Sequence, residues 1–352
     1  MNHSKVLLGG TMTDTSGNAA PFDARYLYLS GGVRLAGQCA NSCDGSCGQW
    51  WGCWNTPMGQ YAVYFIQANA AATWQGTSRP QIPVFTYYEI FQSMHNYNTA
   101  LNEGADEVTI ANDATFMKLY FDDWRFLLQK IGNTQVMLHV EPDFWAYARN
   151  VNSNPHSIPA KVTAANSTDC STQENSIAGM ARCMISMVRK YAPNAKVGLH
   201  ASDWLKNISG DGVTTGNFMI ALGATDGDFI VSDILDRDAG YYNSIGNNVW
   251  FDDAAHASYL AWIKDVATTT GQPIIIWQIP LGNMNQNNTN YHWKDTHVDY
   301  FFTHLGEVAN AKIVALLFGA GADLQTTIET DGNNMINKTI TASQLGGQQI
   351  CQ

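Results

Sequence analysis

Charge is scarce in this chain. Asp, Glu, Lys and Arg make up only 14% of its 352 residues, and the 19 basic side chains are outnumbered by 30 acidic ones. The net charge of −11 leaves no basic face for phosphates, so nucleic acid is not an expected partner. No run of about 18 apolar residues occurs, so no membrane-spanning helix is expected either. Glycine-rich phosphate loops of the Gly-x-Gly-x-x-Gly or Gly-x-x-x-x-Gly-Lys-Ser/Thr type are missing, which argues against a nucleotide. The Gly-x-Ser-x-Gly elbow of serine esterases is missing too. The start, Met1-Asn-His-Ser-Lys5, does not read as a signal peptide and suggests a trimmed or recombinant mature form.

Cysteine is present but unevenly placed. Cys39, Cys43, Cys47 and Cys53 crowd one Gly- and Ser-rich loop, while Cys170, Cys183 and Cys351 are scattered. The spacing C-x3-C-x3-C-x5-C with no histidine nearby matches no standard zinc pattern. Two local disulfides stapling the loop are the expectation, with Cys170–Cys183 as a third. That implies an oxidising compartment. Low lysine with abundant Asn, Thr, Gly and Trp fits a secreted protein that works on polysaccharide.

Short apolar runs alternate with helical patterns. The runs are Tyr26–Ser30, Pro83–Tyr88, Val136–Val140, Lys196–His200, Asp228–Asp233, Pro273–Gln278 and Ile313–Phe318. Continuous apolar runs of this length suit parallel strands buried on both faces. Helices are expected near 58–74, 113–131, 173–191, 214–224, 252–269 and 295–309. Such alternation predicts a parallel α/β fold. The expected architecture is a (β/α) TIM-type barrel spanning residues 1–352 as one catalytic domain. It has seven strands, or eight if Lys5-Val-Leu-Leu8 forms one.

The most informative stretch is Gln135-Val-Met-Leu-His-Val-Glu-Pro-Asp-Phe-Trp145. Here an apolar strand stops at Glu141 and Pro142, with Asp143 and Trp145 following. Polar residues at the C-terminal ends of barrel strands converge on one pocket. Those ends carry Tyr88, His139, Glu141, Asp143, His200, Asp203, Asp233, Asp238, Trp277 and Gln278. Glycoside hydrolysis needs two carboxyl groups flanking the scissile bond. Glu141 is the first choice for the proton donor, the alternative being Asp143 as the working group with Glu141 structural; Asp233 is the leading partner, followed by Asp203 and Asp238. Trp51, Trp54, Trp145, Trp204 and Trp277 offer flat faces for sugar rings. Tyr88, His139, His200 and Gln278 are further candidates for substrate contact. No metal and no cofactor is expected.

Two segments carry a resemblance. Glu141-Pro-Asp-Phe-Trp-Ala146 resembles the Glu-Pro-Asp-Ser-Leu-Ala strand end of family-6 cellulases. Asp233-Ile-Leu-Asp-Arg-Asp238 resembles their Asp-Leu-Pro-Asp-Arg-Asp segment, in reversed chain order. The resemblance implies a distorted seven-stranded barrel that inverts β-1,4-glucan, with Asp238 as acid and Asp143 in support. More broadly the chain looks like a secreted bacterial TIM-barrel glycoside hydrolase. Against the retaining enzymes that use two glutamates, Ile274-Ile-Ile-Trp-Gln-Ile-Pro280 carries Gln278 where the nucleophile would stand. The expected activity is hydrolysis of a polysaccharide, a β-linked glucan such as cellulose. The alternatives are a non-catalytic sugar-binding barrel and a lyase or metal-dependent esterase.

Overall fold

Eight buried runs pair in parallel and close on themselves. The computed structural model describes residues 4–39, 42–97, 100–202 and 212–350. Its barrel strands are β1 (Leu7–Gly10), β2 (Ala24–Leu29), β3 (Ile82–Tyr87), β4 (Met137–Val140), β5 (Lys196–His200), β6 (Phe229–Ser232), β7 (Ile274–Ile279) and β8 (Ile313–Phe318). Each pairs with the next, and β1 closes the ring against β8 with Leu7 opposite Ala315 and Gly10 opposite Phe318. The chain is therefore a complete eight-stranded barrel, and the short N-terminal run completes it.

Side chains alternate between two cores, as strand geometry requires. Leu7, Tyr26, Val84, Met137, Phe229, Val231, Ile275, Trp277 and Leu317 fill the barrel interior. Leu8, Phe85, Leu138, Val140, Leu199, Ile230, Ile276 and Leu316 face the surrounding helices. Both faces are apolar, which is why these strands read as unbroken hydrophobic runs.

The helices are set by local signals. Asp113 caps α1 (Ala114–Ile131) by accepting from the Thr115 and Phe116 amides, and Gly132 ends it at φ 55°. This helix buries Phe116, Tyr120, Trp124, Leu127 and Leu128, a stripe at helical spacing. Asp252 caps the helix Asp253–Thr270, and Gly271 closes it in the left-handed region. Two expected helices are shorter. The first covers Gln60–Ala70 only, because Thr73–Trp74 folds back on Thr77–Ser78 around Gln75 and Gly76, both at positive φ. The last breaks at His304 into His297–Thr303 and Leu305–Asn310.

Disulfides Cys39–Cys47 and Cys43–Cys53 staple the loop that follows β2. Cys170–Cys183 ties a loop to the helix Ile177–Tyr191. Its 13-residue separation bounds its contribution. Replacing both cysteines by alanine should cost about 3 kcal/mol in the loop-entropy account. Urea denaturation should show this as a lower midpoint with little change of slope.

Candidate active site

Strand parity decides which polar groups reach the barrel mouth. Met137 and His139 point inward on β4, so a regular strand would point Glu141 inward as well. It does not, because Glu141 leaves the strand at φ 47°. Its carboxylate instead accepts from Tyr120 Oη at 2.8 Å and from the Glu89 and Ile90 amides at 3.2 and 3.4 Å. Tyr120 belongs to the core between sheet and helices. Glu141 is fully buried there, and desolvation pushes its carboxyl up to about 8. Asp143, at φ 68°, returns to the mouth. One of its oxygens lies 3.4 Å from Tyr88 Oη, which donates to it.

Strand β7 uses a second irregularity. Its register against β8 shifts between Leu316 and Phe318, where three residues of β7 oppose two. A bulge of this kind re-aims side chains. Trp277 and Gln278 both enter the barrel, and Gln278 adopts φ 58°. Tyr28 Oη donates to Gln278 Oε1. Gly321 permits this approach, since a Cβ there would lie 2.3 Å from Gln278 Nε2.

A ribbon of polar groups crosses four consecutive strands beneath the mouth. Thr86 Oγ1 on β3 lies 3.2 Å from His139 Nδ1 on β4. His139 Nε2 lies 2.9 Å from His200 Nδ1 on β5, and His200 Nε2 lies 3.0 Å from Asp233 Oδ1 just beyond β6. The Trp277 ring stands edge-on to both imidazoles, at 4.7 and 5.9 Å. Each histidine is 1% exposed. Burial, then the neighbouring His200, holds His139 well below its ordinary range, so it is neutral.

The ribbon ends at a cleft of about 290 Å³ lined by Glu103, Asp143, Tyr147, Asp233, Ile234, Leu235, Asp236 and Tyr242. Asp143 and Asp233 both line it, one after β4 and one after β6. Burial raises the Asp143 carboxyl to about 7; His200 opposes the shift and Asp233 adds to it. Asp236 is held by Arg237 and Tyr242, and Glu103 accepts from Tyr147 Oη at 2.8 Å.

The other expected site residues fall elsewhere. Asp238 is buried outside the cleft lining and works as a staple: its oxygens accept from the Gly282 and Thr326 amides, each at 2.8 Å. Trp51 is fully buried and, with Trp50 and Tyr87, donates to Asp123 of α1. Trp145 is buried and donates to the Val140 carbonyl at 3.0 Å. Neither indole is open to a sugar. Trp54 is 39% exposed and sits edge-on to Tyr61 at 5.0 Å. Asp203 and Trp204 lie outside the described residues. Tyr28, Glu103, Tyr147 and Tyr242 were not anticipated. Tyr147 carried a signal, standing four residues after Asp143 at the start of a helix, on the same face. Among the described residues, the grouping of potential metal donors is the sulfurs of Cys39, Cys47 and Cys53, and these are disulfide atoms.

No protein-family model and no curated protein sequence matches this chain. Solved structures do match its fold. A GH5 xyloglucan-specific β-1,4-glucanase from a ruminal metagenomic library, solved with XXLG, superposes with a TM-score of 0.53 at 12% identity, over 97% of this chain and 89% of that one. A Bacteroidetes-affiliated GH5 cellulase gives 0.52 at 9%, over 95% and 85%. An endo-β-1,4-mannanase of family 26 from Cellulomonas fimi gives 0.51 at 10%, over 96% and 70%. At these identities the likeness establishes the TIM-barrel fold that this chain shares with glycoside hydrolases.

The Glu141 environment generates a prediction about stability. Its folded-state value of about 8 stands above the ordinary 4.5, so the fold favours the protonated form. The stability this carries is present below 4.5 and is lost as pH rises through about 8. Glu141→Gln mimics the protonated acid. Its loss of unfolding free energy between pH 5 and 8 should be smaller than that of the wild type by more than about 1.4 kcal/mol, the equivalent of one pK unit. Urea titrations at the two pH values measure this.

Proposed function

We propose that the cleft hydrolyses glycosidic bonds of a β-linked polysaccharide, a β-glucan being the preferred class. Asp143 is the proton donor, and Asp233 is the carboxylate that serves as base or nucleophile. The observation that carries this reading is the pairing of two carboxylates in one cleft at the barrel mouth. Burial keeps Asp143 protonated up to about pH 7, while Asp233 accepts a hydrogen bond from His200. A proton donor beside a second carboxylate is the division of labour that glycoside hydrolysis needs. Tyr147 and Tyr242 line the same cleft and supply ring faces and hydroxyls to a sugar. The structural relatives named above are described as acting on β-1,4-linked glucans and mannans, which favours this class of bond. Three disulfides fit work outside the cell.

Gln278 favours a second reading, a barrel that binds glycans without cleaving them. An amide cannot replace the nucleophilic carboxylate at the end of β7. Under the proposed assignment Asp233 takes that part from β6.

Incubating the protein with cellulose, mixed-linkage glucan, xyloglucan, xylan and mannan decides between the two. Wild type should release oligosaccharide. Asp143→Asn and Asp233→Asn should each lower the rate by about 10²–10⁴, the range for lost acid–base groups. Activity should fall as pH rises through about 7, because Asp143 must carry its proton to donate it. Saturable binding with no product from any glycan would sink the hydrolase reading.

A further inference from the structure

The buried ribbon beneath the cleft has more order than packing requires. All four imidazole nitrogens of His139 and His200 have a partner. The partners rise through the barrel in steps. Thr86 sits directly opposite His139 in the β3–β4 register. His139 lies opposite Gly198, two residues below His200, and His200 lies opposite Val231, two residues below Asp233. A line of side chains therefore climbs from the barrel centre to the rim and stops at a cleft carboxylate.

Neutral imidazole has one donor and one acceptor nitrogen. With Asp233 ionised, His200 must donate from Nε2 and accept at Nδ1. His139 must then donate from Nε2 and accept at Nδ1, and Thr86 must donate its hydroxyl proton. Ionisation of Asp233 thus fixes every proton in the line. A cation at His139 would be desolvated, since the ring is buried against Trp277.

We propose that Thr86, His139 and His200 are positioning residues that orient Asp233, leaving its second oxygen for the chemistry in the cleft. They touch no sugar, since all three are buried. The proposal rests on Asp233 being one of the working carboxylates. Other titratable or charged groups face this end from several elements. They are Asp143 and Glu103 across the cleft, Asp236 and Arg237 on the loop of Asp233 itself, and Tyr28 from β2. Tyr259 of the helix Asp253–Thr270 donates to the Asp233 carbonyl at 2.8 Å. None of these groups takes a ring nitrogen of the two histidines.

Two measurements test it on the full-length chain. The first needs no activity. With ¹⁵N-labelled histidine, long-range ¹H–¹⁵N spectra at pH 8 should show His139 and His200 as Nε2–H tautomers, and Asp233→Asn should move the His200 signals. An Nδ1–H tautomer at either ring overturns the proposal. The second compares His139→Met, which removes the donor, with His139→Gln, whose amide reaches the Nε2 position and still donates. His139→Met should lower kcat by about 10–100-fold, the effect typical of outer-sphere partners, with KM unchanged. His139→Gln should recover most of the loss. Equal kcat values for the two variants overturn the relay. A wild type that cleaves no glycan overturns the proposed function instead, and the spectra still decide the relay.

Discussion

Closure of the sheet between β1 and β8 is the constraint on which the rest depends. A closed ring of eight strands has no edge, so every strand must alternate between a narrow interior and a helix-covered exterior. Here the interior is dry below and polar above. Leu7, Val84, Met137, Phe229 and Leu317 fill it, and Thr86, His139 and His200 lie above them. The inner positions near the C-terminal ends are then the places from which a side chain can enter the mouth. Departures from alternation matter as much as alternation itself. Glu141, Asp143 and Gln278 all take positive φ, a conformation that non-glycine residues adopt at a cost of about 1–3 kcal/mol. At Glu141 and Gln278 the turn sends a polar side chain somewhere a regular strand would not, and at Asp143 it brings one back to the mouth.

The buried carboxylates show how this is tolerated. Glu141 and Asp123 lie in the same shell between sheet and α1, and each is hydrogen-bonded by neutral donors. Asp123 takes bonds from Trp50, Trp51 and Tyr87. Burial raises its carboxyl to about 6, even with these donors lowering it. Hydrogen bonds to neutral donors satisfy a buried acid without importing a second charge, which suits a chain with only 19 basic residues. The two indoles bonded to Asp123 hold the disulfide loop against α1, so that loop is anchored by side chains as well as by its cystines.

Much of the fold was legible because its signals are local. Seven apolar runs read as strands and are strands, and the Asp113 and Asp252 caps mark helix starts within a residue. The split at His304 and the hairpin at Gln75-Gly76 were missed, since helical periodicity continues across both. The site was harder to read. Asp143 and Asp233 stood out as strand-end carboxylates, but nothing in the composition of Glu141-Pro-Asp143 says which acid turns toward the helices. That is decided by φ at Glu141 and by Tyr120 waiting on the far side. The tryptophans misled for a related reason. A Trp-Trp-Gly-Cys-Trp cluster in a cysteine-rich loop reads as surface, yet Trp50 and Trp51 find a buried acceptor 72 or more residues away. Long-range pairing of that kind leaves no periodic trace.

The amide at Gln278 fits this geometry better than a carboxylate would. Tyr28 donates to its oxygen, while its nitrogen is close against the Gly321 backbone. A glutamate there would add a negative charge to a mouth that already holds Asp143, Asp233 and Asp236, with Arg237 as the cation beside them. Like charges in one desolvated mouth raise each other's pKa, so a further anion would add to the burial that already lifts Asp143. An uncharged side chain at the end of β7 limits that crowding. The amide that looked like a missing nucleophile thus belongs to the same electrostatic arrangement as the cleft carboxylates.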